Sequence, residues 1–505
     1  MAGSQDQTID DVLDSLADRD VIVVSNRQPY RHTFDEAGDI TVDRPAGGLT
    51  AGLDPVIQQT NGTWIAWGDG DADRQVTDDT DAVGVPPEDP SYTLRRVWLD
   101  ESDVADYYYG YSNRVLWPLC HGLEANVAYE DRYFERYREV NRTFASRVVD
   151  TLGEDPFVWF QDYHFALAPQ FVREQAGDDV LLSQFWHIPW PEREVFRDCP
   201  QQEALLRGLL ANDLLGFHIP RYCGNFLDCV ALLVPDADID WEAWTVRLNG
   251  TETTVRAFPM GVDTGTIAEH AAAPENGFWD DFRTEHGIPT DVQVAVGIDR
   301  LDYTKGIPER LAALERLWET EPNWREALTY VQKATPSRTE IPEYRELGRD
   351  VDRDIARINE RFGTDDWQPI VEIDTYLSED ALYGLCRYSD IAIVSPVADG
   401  MNLVALEYIS AQLDETGVLV LSEHAGAHDL LGDVAVSIDP SDTATFASRL
   451  DLALSMPADE RRDRMAALRS TVTTTDLQSW MADIFRTTLT LDQPEDVSAS
   501  DVKSP

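Results

Sequence analysis

Arg300 and Lys305 fall within one short string, RLDYTKG (300–306), directly after an apolar run from Val292 to Ile298. In open α/β sheets, ligands bind in the crevice past the carboxyl ends of strands, so both cations stand where an anion would be held. The 41 basic residues include only three lysines, Lys305, Lys333 and Lys503. An ammonium is a compact point charge that reaches into a phosphate pocket where a planar guanidinium does not fit. The plainer reading is a pair of surface charges at a helix start.

A second cluster is SPVADGMNLVALE (395–407). Asn402 is placed to cap a helix beginning at Leu403. The free amides of that first turn, near Leu403 and Val404, make an anion site with the helix dipole behind them. Asp399 offers a carboxylate to sugar hydroxyls, and Glu407, one turn in, offers one to the vicinal hydroxyls of a ribose. With Arg300 and Lys305 this makes a nucleotide-diphosphate sugar site, where two cations stabilise a departing diphosphate without a metal. The plainer reading is a capped helix with an incidental acid pair.

The first half carries its own groups. Asp162, Tyr163 and His164 follow the apolar run Phe157 to Phe160, and His187 follows VLLSQFW. Gly47 and Gly48, in PAGGLTAGL, let the backbone approach a ligand before a helix, although a plain turn uses the same pair. Asp103 to Gly122 is dense in aromatics, some for the core and some offering flat faces with a polar tip to a sugar.

These groups need strand ends to hold them. DVIVVS (20–25) reads as a buried parallel strand, and TWIAWG (63–68) as another. A helix is expected near Glu130 to Leu152. The second half alternates cleanly: strand 292–298, helix 307–319, strand 327–332, helix 340–362, strand 369–373, helix 378–388, strand 390–395, helix 403–413, then GVLVLS as the last strand of its core. Such alternation means parallel sheets covered on both faces. The fold class is α/β: two doubly wound domains with charged strand ends facing a central cleft. The expected divisions are an acidic tail over 1–18, a first domain over 19–260, a second over 261–470, a C-terminal helix over 471–490 and a disordered tail over 491–505.

The net charge is −52, with 93 acids spread along the chain. That excludes nucleic acid and anionic membrane as partners, because phosphate backbones are repelled. Acid excess with almost no lysine fits a halophilic protein kept soluble by screening in concentrated salt. Five cysteines without a CxxC pair suggest neither a disulfide framework nor a zinc site. No apolar run approaches the roughly 20 residues of a membrane span. The N-terminus carries no signal region, so a cytoplasmic protein is expected. Oligomeric state is not legible, and a homo-oligomer is allowed.

The motifs together resemble the trehalose-6-phosphate synthases, retaining glycosyltransferases with two facing Rossmann-like domains in the GT-B arrangement. The matching strings are SNR (25–27), AGGL (46–49), SNRVLWP (112–118), DYH (162–164), HIPWP (187–191), RLDYTKG (300–306), TPSR (335–338) and DGMNLVALE (399–407). The resemblance implies glucose transfer from a nucleotide-diphosphate glucose to glucose 6-phosphate, with no cofactor and no metal. It implies that Gly47, Gly48, His187, Arg300, Lys305, Asp399, Leu403, Val404 and Glu407 bind the nucleotide sugar. It implies that Arg27, Tyr108 and Arg338 grip the acceptor phosphate, with Trp117 beside the acceptor and Asp162 on its hydroxyls. Asp162, His187, Arg300 and Lys305 would surround the reacting centre. The resemblance also implies that no side chain acts as nucleophile and that the leaving phosphate oxygen takes the acceptor proton on the face of attack.

The chain departs from the family in places. Gln161 precedes DYH where the family commonly has His. Gln28, Pro29 and Tyr30 after SNR, and FHIPRY (217–222), look like the glucosylglycerol-phosphate synthases, whose acceptor is glycerol 3-phosphate. Two further alternatives are a catalytically silent nucleotide-sugar sensor and a glycogen-synthase-like polymerase.

Overall fold

The computed structural model describes residues 9–16, 19–44, 48–274 and 277–492. Two large sheets dominate. In the first, seven parallel strands run side by side in the order Thr251–Ala257, Leu214–Phe217, Leu181–Phe185, Pro156–Gln161, Asp20–Ser25, Thr63–Trp67 and Tyr92–Val97. Antiparallel strands extend both edges. The second sheet is wholly parallel, in the order Ile370–Ile373, Leu328–Pro336, Gln293–Leu301, Ile391–Val394, Val418–Ser422 and Val436–Ile438. That last strand lies beyond Val418–Ser422, which the sequence reading took as the end of the core.

In each sheet the chain builds outward on one side and then returns to the other. The first sheet switches direction between Asp20–Ser25 and Pro156–Gln161, the second between Gln293–Leu301 and Ile391–Val394. Crevices open at the carboxyl ends of strands where the order reverses. The strings SNR, DYH, RLDYTKG and DGMN begin at, or a few residues beyond, these four strand ends.

The strand centres are buried and rich in branched residues, as a sheet covered on both faces requires. One core fills the second body, and two lie on opposite faces of the first sheet. Helix Leu477–Leu491 packs on the first sheet, although it follows the whole second body in sequence. Its Trp480 and Phe485 meet Trp159 with ring centroids 5.7 and 5.0 Å apart. The N-terminus also departs from the expected tail. Ile9–Leu16 is a helix whose Val12, Leu13 and Leu16 are buried in the same core. Apolar residues at 9, 12, 13 and 16 make one helical face, which the acids between them mask in composition. Of the expected C-terminal tail, residues 493–505 lie outside the described residues.

Val104–Leu116 is a π-helix, closed by the Trp117 N–H donating to the carbonyl of Ser112. An α-helix advances about 100° per residue, so Tyr108 and Trp117 would face opposite sides. Winding in i→i+5 turns removes most of that offset, and both side chains reach one cleft.

Candidate active site

The two bodies meet around one cavity of about 550 Å3. From the first come Arg27, Tyr108, Trp117, Asp162 and His187. From the second come Arg300, Lys305, Arg338, Asp399, Leu403, Val404 and Glu407. Gly48 opens helix Gly48–Ile57. Gly47 lies outside the described residues.

The bodies touch directly at the cavity rim. Trp117 Nε1 donates to Asp302 Oδ1 at 3.4 Å, and Tyr222 Oη donates to the Asp399 carbonyl at 2.9 Å. Arg114 pairs with Glu343 at 2.9 Å.

On the wall formed by the second body, Lys305 Nζ pairs with Asp399 Oδ2, both largely buried. Asn402 Nδ2 donates to the same oxygen at 3.0 Å, and the Gly400 N–H donates to Oδ1 at 2.9 Å. Burial alone would raise the Asp399 carboxyl; Lys305 outweighs it and holds the group below its ordinary range. Asp399 therefore has both oxygens engaged by protein donors and holds the Lys305 ammonium in place. Asn402 does not cap helix Leu403–Ala411 as expected. It adopts φ 73°, and its amide turns toward Asp399, leaving the first-turn N–H groups without a side-chain cap. Among the described residues no cation pairs with Glu407, and burial pushes its carboxyl up to about 7.

The Arg338 guanidinium is buried. Nη1 donates to Asp302 Oδ2 at 2.9 Å and to Tyr344 Oη at 2.6 Å. Burial opposes ionisation of Asp302, but Arg338, Arg300 and Lys305 hold it below its usual range. Tyr108 lies near Arg338 and Arg27, which override burial and lower its phenol. His164 stacks on Tyr163 at 4.1 Å and stays neutral, through burial and then through Arg338 and Arg27.

Between these walls stands Asp162, with φ 72°, outside the usual region for a residue with a Cβ. Its Oδ1 accepts the His187 backbone N–H at 3.2 Å. Burial pushes its carboxyl up to about 7, against the pull of the Tyr163 and His187 amides.

Gln161, His164, His218, Tyr376, Leu377 and Tyr383 also line the cavity without having been singled out as site residues. His218 belongs to FHIPRY, which does reach the site. The other departing string does not. Gln28 is buried against Asp69, Asp73 and Arg96, and Tyr30 donates to Asp54. Tyr376 and Leu377 follow strand Ile370–Ile373; the strand-end rule could have flagged them, but they carry no charge. Among the described residues, no cluster of three or more His, Cys, Asp or Glu side chains is arranged to hold a metal. No described helix is long and apolar enough to cross a membrane.

Residues 19–489 match the model of glycosyltransferase family 20. The chain belongs to that family. This family 20 chain is 34% identical over 474 residues to a bifunctional trehalose-6-phosphate synthase/phosphatase of Thermoproteus tenax. The match covers 92% of the chain but only 62% of that longer relative. Among solved structures, it is similar to an E. coli trehalose-6-phosphate protein bound with UDP-2-fluoro glucose, at 31% identity and a TM-score of 0.83, covering 94% of this chain and 99% of that one. It is also similar to a UDP-forming alpha,alpha-trehalose-phosphate synthase from Burkholderia xenovorans in complex with glucose-6-phosphate, at 32% identity and a TM-score of 0.81, covering 93% and 100%. The two sheets of this family 20 enzyme are thus the two Rossmann-like halves of a GT-B glycosyltransferase.

Proposed function

We propose that this family 20 enzyme transfers glucose, with retention, from a nucleotide-diphosphate glucose to glucose 6-phosphate, giving trehalose 6-phosphate and a nucleoside diphosphate. One observation carries the reading: a single cavity has Arg300 and Lys305 on one wall and Asp162 on the other, with Arg27, Tyr108 and Arg338 beyond it. The first body, 19–260, supplies most of the acceptor side. The second, 261–470, holds the nucleotide sugar and lends Arg338 to the acceptor.

Arg300 and Lys305 take up the charge that develops on the diphosphate as the glycosidic bond breaks. Asp399 holds the Lys305 ammonium at its post. The amides of Leu403 and Val404 face the same anion, and Glu407 takes the ribose hydroxyls. Arg27, Tyr108 and Arg338 grip the acceptor's phosphate, and Asp162 orients its hydroxyl. The departing phosphate oxygen accepts the acceptor proton. Closure of the two bodies over the substrates excludes water, a competing acceptor. The five cysteines are free and buried, in keeping with a reducing cytoplasm.

The test is release of nucleoside diphosphate from UDP-glucose, GDP-glucose or ADP-glucose with each acceptor. Glucose 6-phosphate is expected to support turnover. Because His218 brings FHIPRY into the cavity, glycerol 3-phosphate is the second acceptor to assay. Release with glycerol 3-phosphate alone would replace the reading; donor binding without release would make the protein a sensor.

A further inference from the structure

Gln161 ends strand Pro156–Gln161, next to Asp162 at the switch point of the first sheet. Its Oε1 lies 3.0 Å from His187 Nε2. An amide oxygen only accepts, so His187 Nε2 carries the proton. Burial, and then the neighbouring His218, hold the His187 ring neutral. A neutral imidazole with a proton on Nε2 has a bare lone pair on Nδ1. Among the described residues nothing in the protein bonds to Nδ1, on a ring that lines the cavity.

His218 fixes the rest of that histidine. Its own Nε2 donates to the His187 carbonyl at 3.1 Å. Asp162 takes the His187 backbone N–H. His187 is thus held at its amide, its carbonyl and one ring nitrogen, and only Nδ1 is left to act.

Gln161 itself is almost wholly buried, yet its Nε2 has no partner in the protein, and the residue lines the cavity. Buried amide donors are rarely left unfilled. Gln161 Nε2 is enclosed by the protein, so of this pair only His187 Nδ1 is left to meet a ligand.

We infer that Gln161 is a positioning residue that locks His187 in the Nε2–H form, so that Nδ1 is left as the acceptor for a hydroxyl of the transferred sugar. A histidine at position 161, common in the resembled family, leaves the pair free to exchange a proton. Glutamine does not titrate, so the form of His187 stays the same across the working pH range. The assignment of the hydroxyl to the nucleotide sugar rests on the proposed function; the lock on His187 does not.

The experiment is read in two ways. Proton–nitrogen correlation spectra of the free protein, with His187 assigned by the resonance lost in His187→Gln, are expected to show a proton on Nε2 and none on Nδ1. In Gln161→Met, which keeps the side chain's length and removes its polarity, both forms are expected. Kinetics of Gln161→Met are expected to show KM for the nucleotide sugar raised about tenfold, with KM for the acceptor within about twofold. A proton on Nδ1 in the parent overturns the lock. An unchanged or equally raised pair of KM values overturns the sugar contact, while leaving the spectra to judge the lock. If no nucleotide sugar turns over, only the proposed function has failed, and the spectra still decide.

Discussion

The Arg338 guanidinium lies over the indole of Trp117, 4.0 Å from its ring centroid, and so joins the second body to the first. The same guanidinium donates to Asp302, whose other oxygen accepts from the Trp117 ring at 3.4 Å. Arginine, ring and carboxylate thus form a closed set at the edge of the cavity. A lysine cannot stack flat on the indole and donate in a fixed fork. Arg338→Lys is expected to raise KM for glucose 6-phosphate by tenfold or more, roughly the value of a charge-assisted bond, with KM for the nucleotide sugar little changed. Steady-state kinetics with each substrate varied in turn check this. Equal changes in both would remove Arg338 from the acceptor side.

Lys305 and Asp399 are a buried pair at the other end of the cavity. Lys305→Ala removes the charge that the proposed function sets against the diphosphate and leaves the Asp399 carboxylate without its cation. Single-turnover rates are expected to fall about a hundredfold or more. Denaturant unfolding is expected to show a loss of roughly 3 kcal/mol, from the uncompensated charge. Adding Asp399→Asn should restore most of the stability and none of the rate, which separates the two effects.

Glu407 gives a pH test with a definite sign. Its carboxyl is pushed up to about 7 in the folded protein. In the unfolded chain a glutamate titrates near 4.3. Between these values the folded state holds the extra proton, so stability falls as pH rises. Glu407→Gln removes that penalty. Its Tm is expected to match the parent near pH 4 and to exceed it by a few degrees near pH 8. Thermal melts across that range decide the matter, and a constant difference would mean that burial does not raise the Glu407 carboxyl.

The net charge of −52 sets the response to salt. Self-repulsion weakens the compact state, and the screening length falls to about 3 Å at 1 M salt. Tm is expected to rise by several degrees between about 0.1 M and about 2 M potassium chloride. Buried pairs are screened far less than surface ones, so Lys305–Asp399 is kept. A flat melting curve against salt would leave the acid excess without a physical role.

Much of the site was legible because its polar groups stand directly after apolar runs. Asp162 follows Pro156–Gln161, and Arg300 is the next-to-last residue of Gln293–Leu301, which runs past the predicted boundary because Asp299 to Leu301 keep pairing with Ala334 to Pro336. Strand ends can be read from local pattern, since burial on both faces demands an unbroken apolar run and a sharp end to it. Asn402 shows the limit. As a residue type it suits a helix cap, but its backbone is left-handed, its Nδ2 donates to Asp399, and its Oδ1 accepts no first-turn N–H.

By itself the sequence determined the alternation of strand and helix, the charge, and the residue types at the strand ends, because these depend on neighbours along the chain. Tertiary structure alone decided which ends share a cavity, that Leu477–Leu491 returns to cover the first sheet, and that Tyr108 and Trp117 face one way. It also decided that His187 is held by Gln161, His218 and Asp162. Those relations join residues far apart in the chain, and only the packing of the two sheets, with burial raising or lowering each charge, brings them within bonding distance.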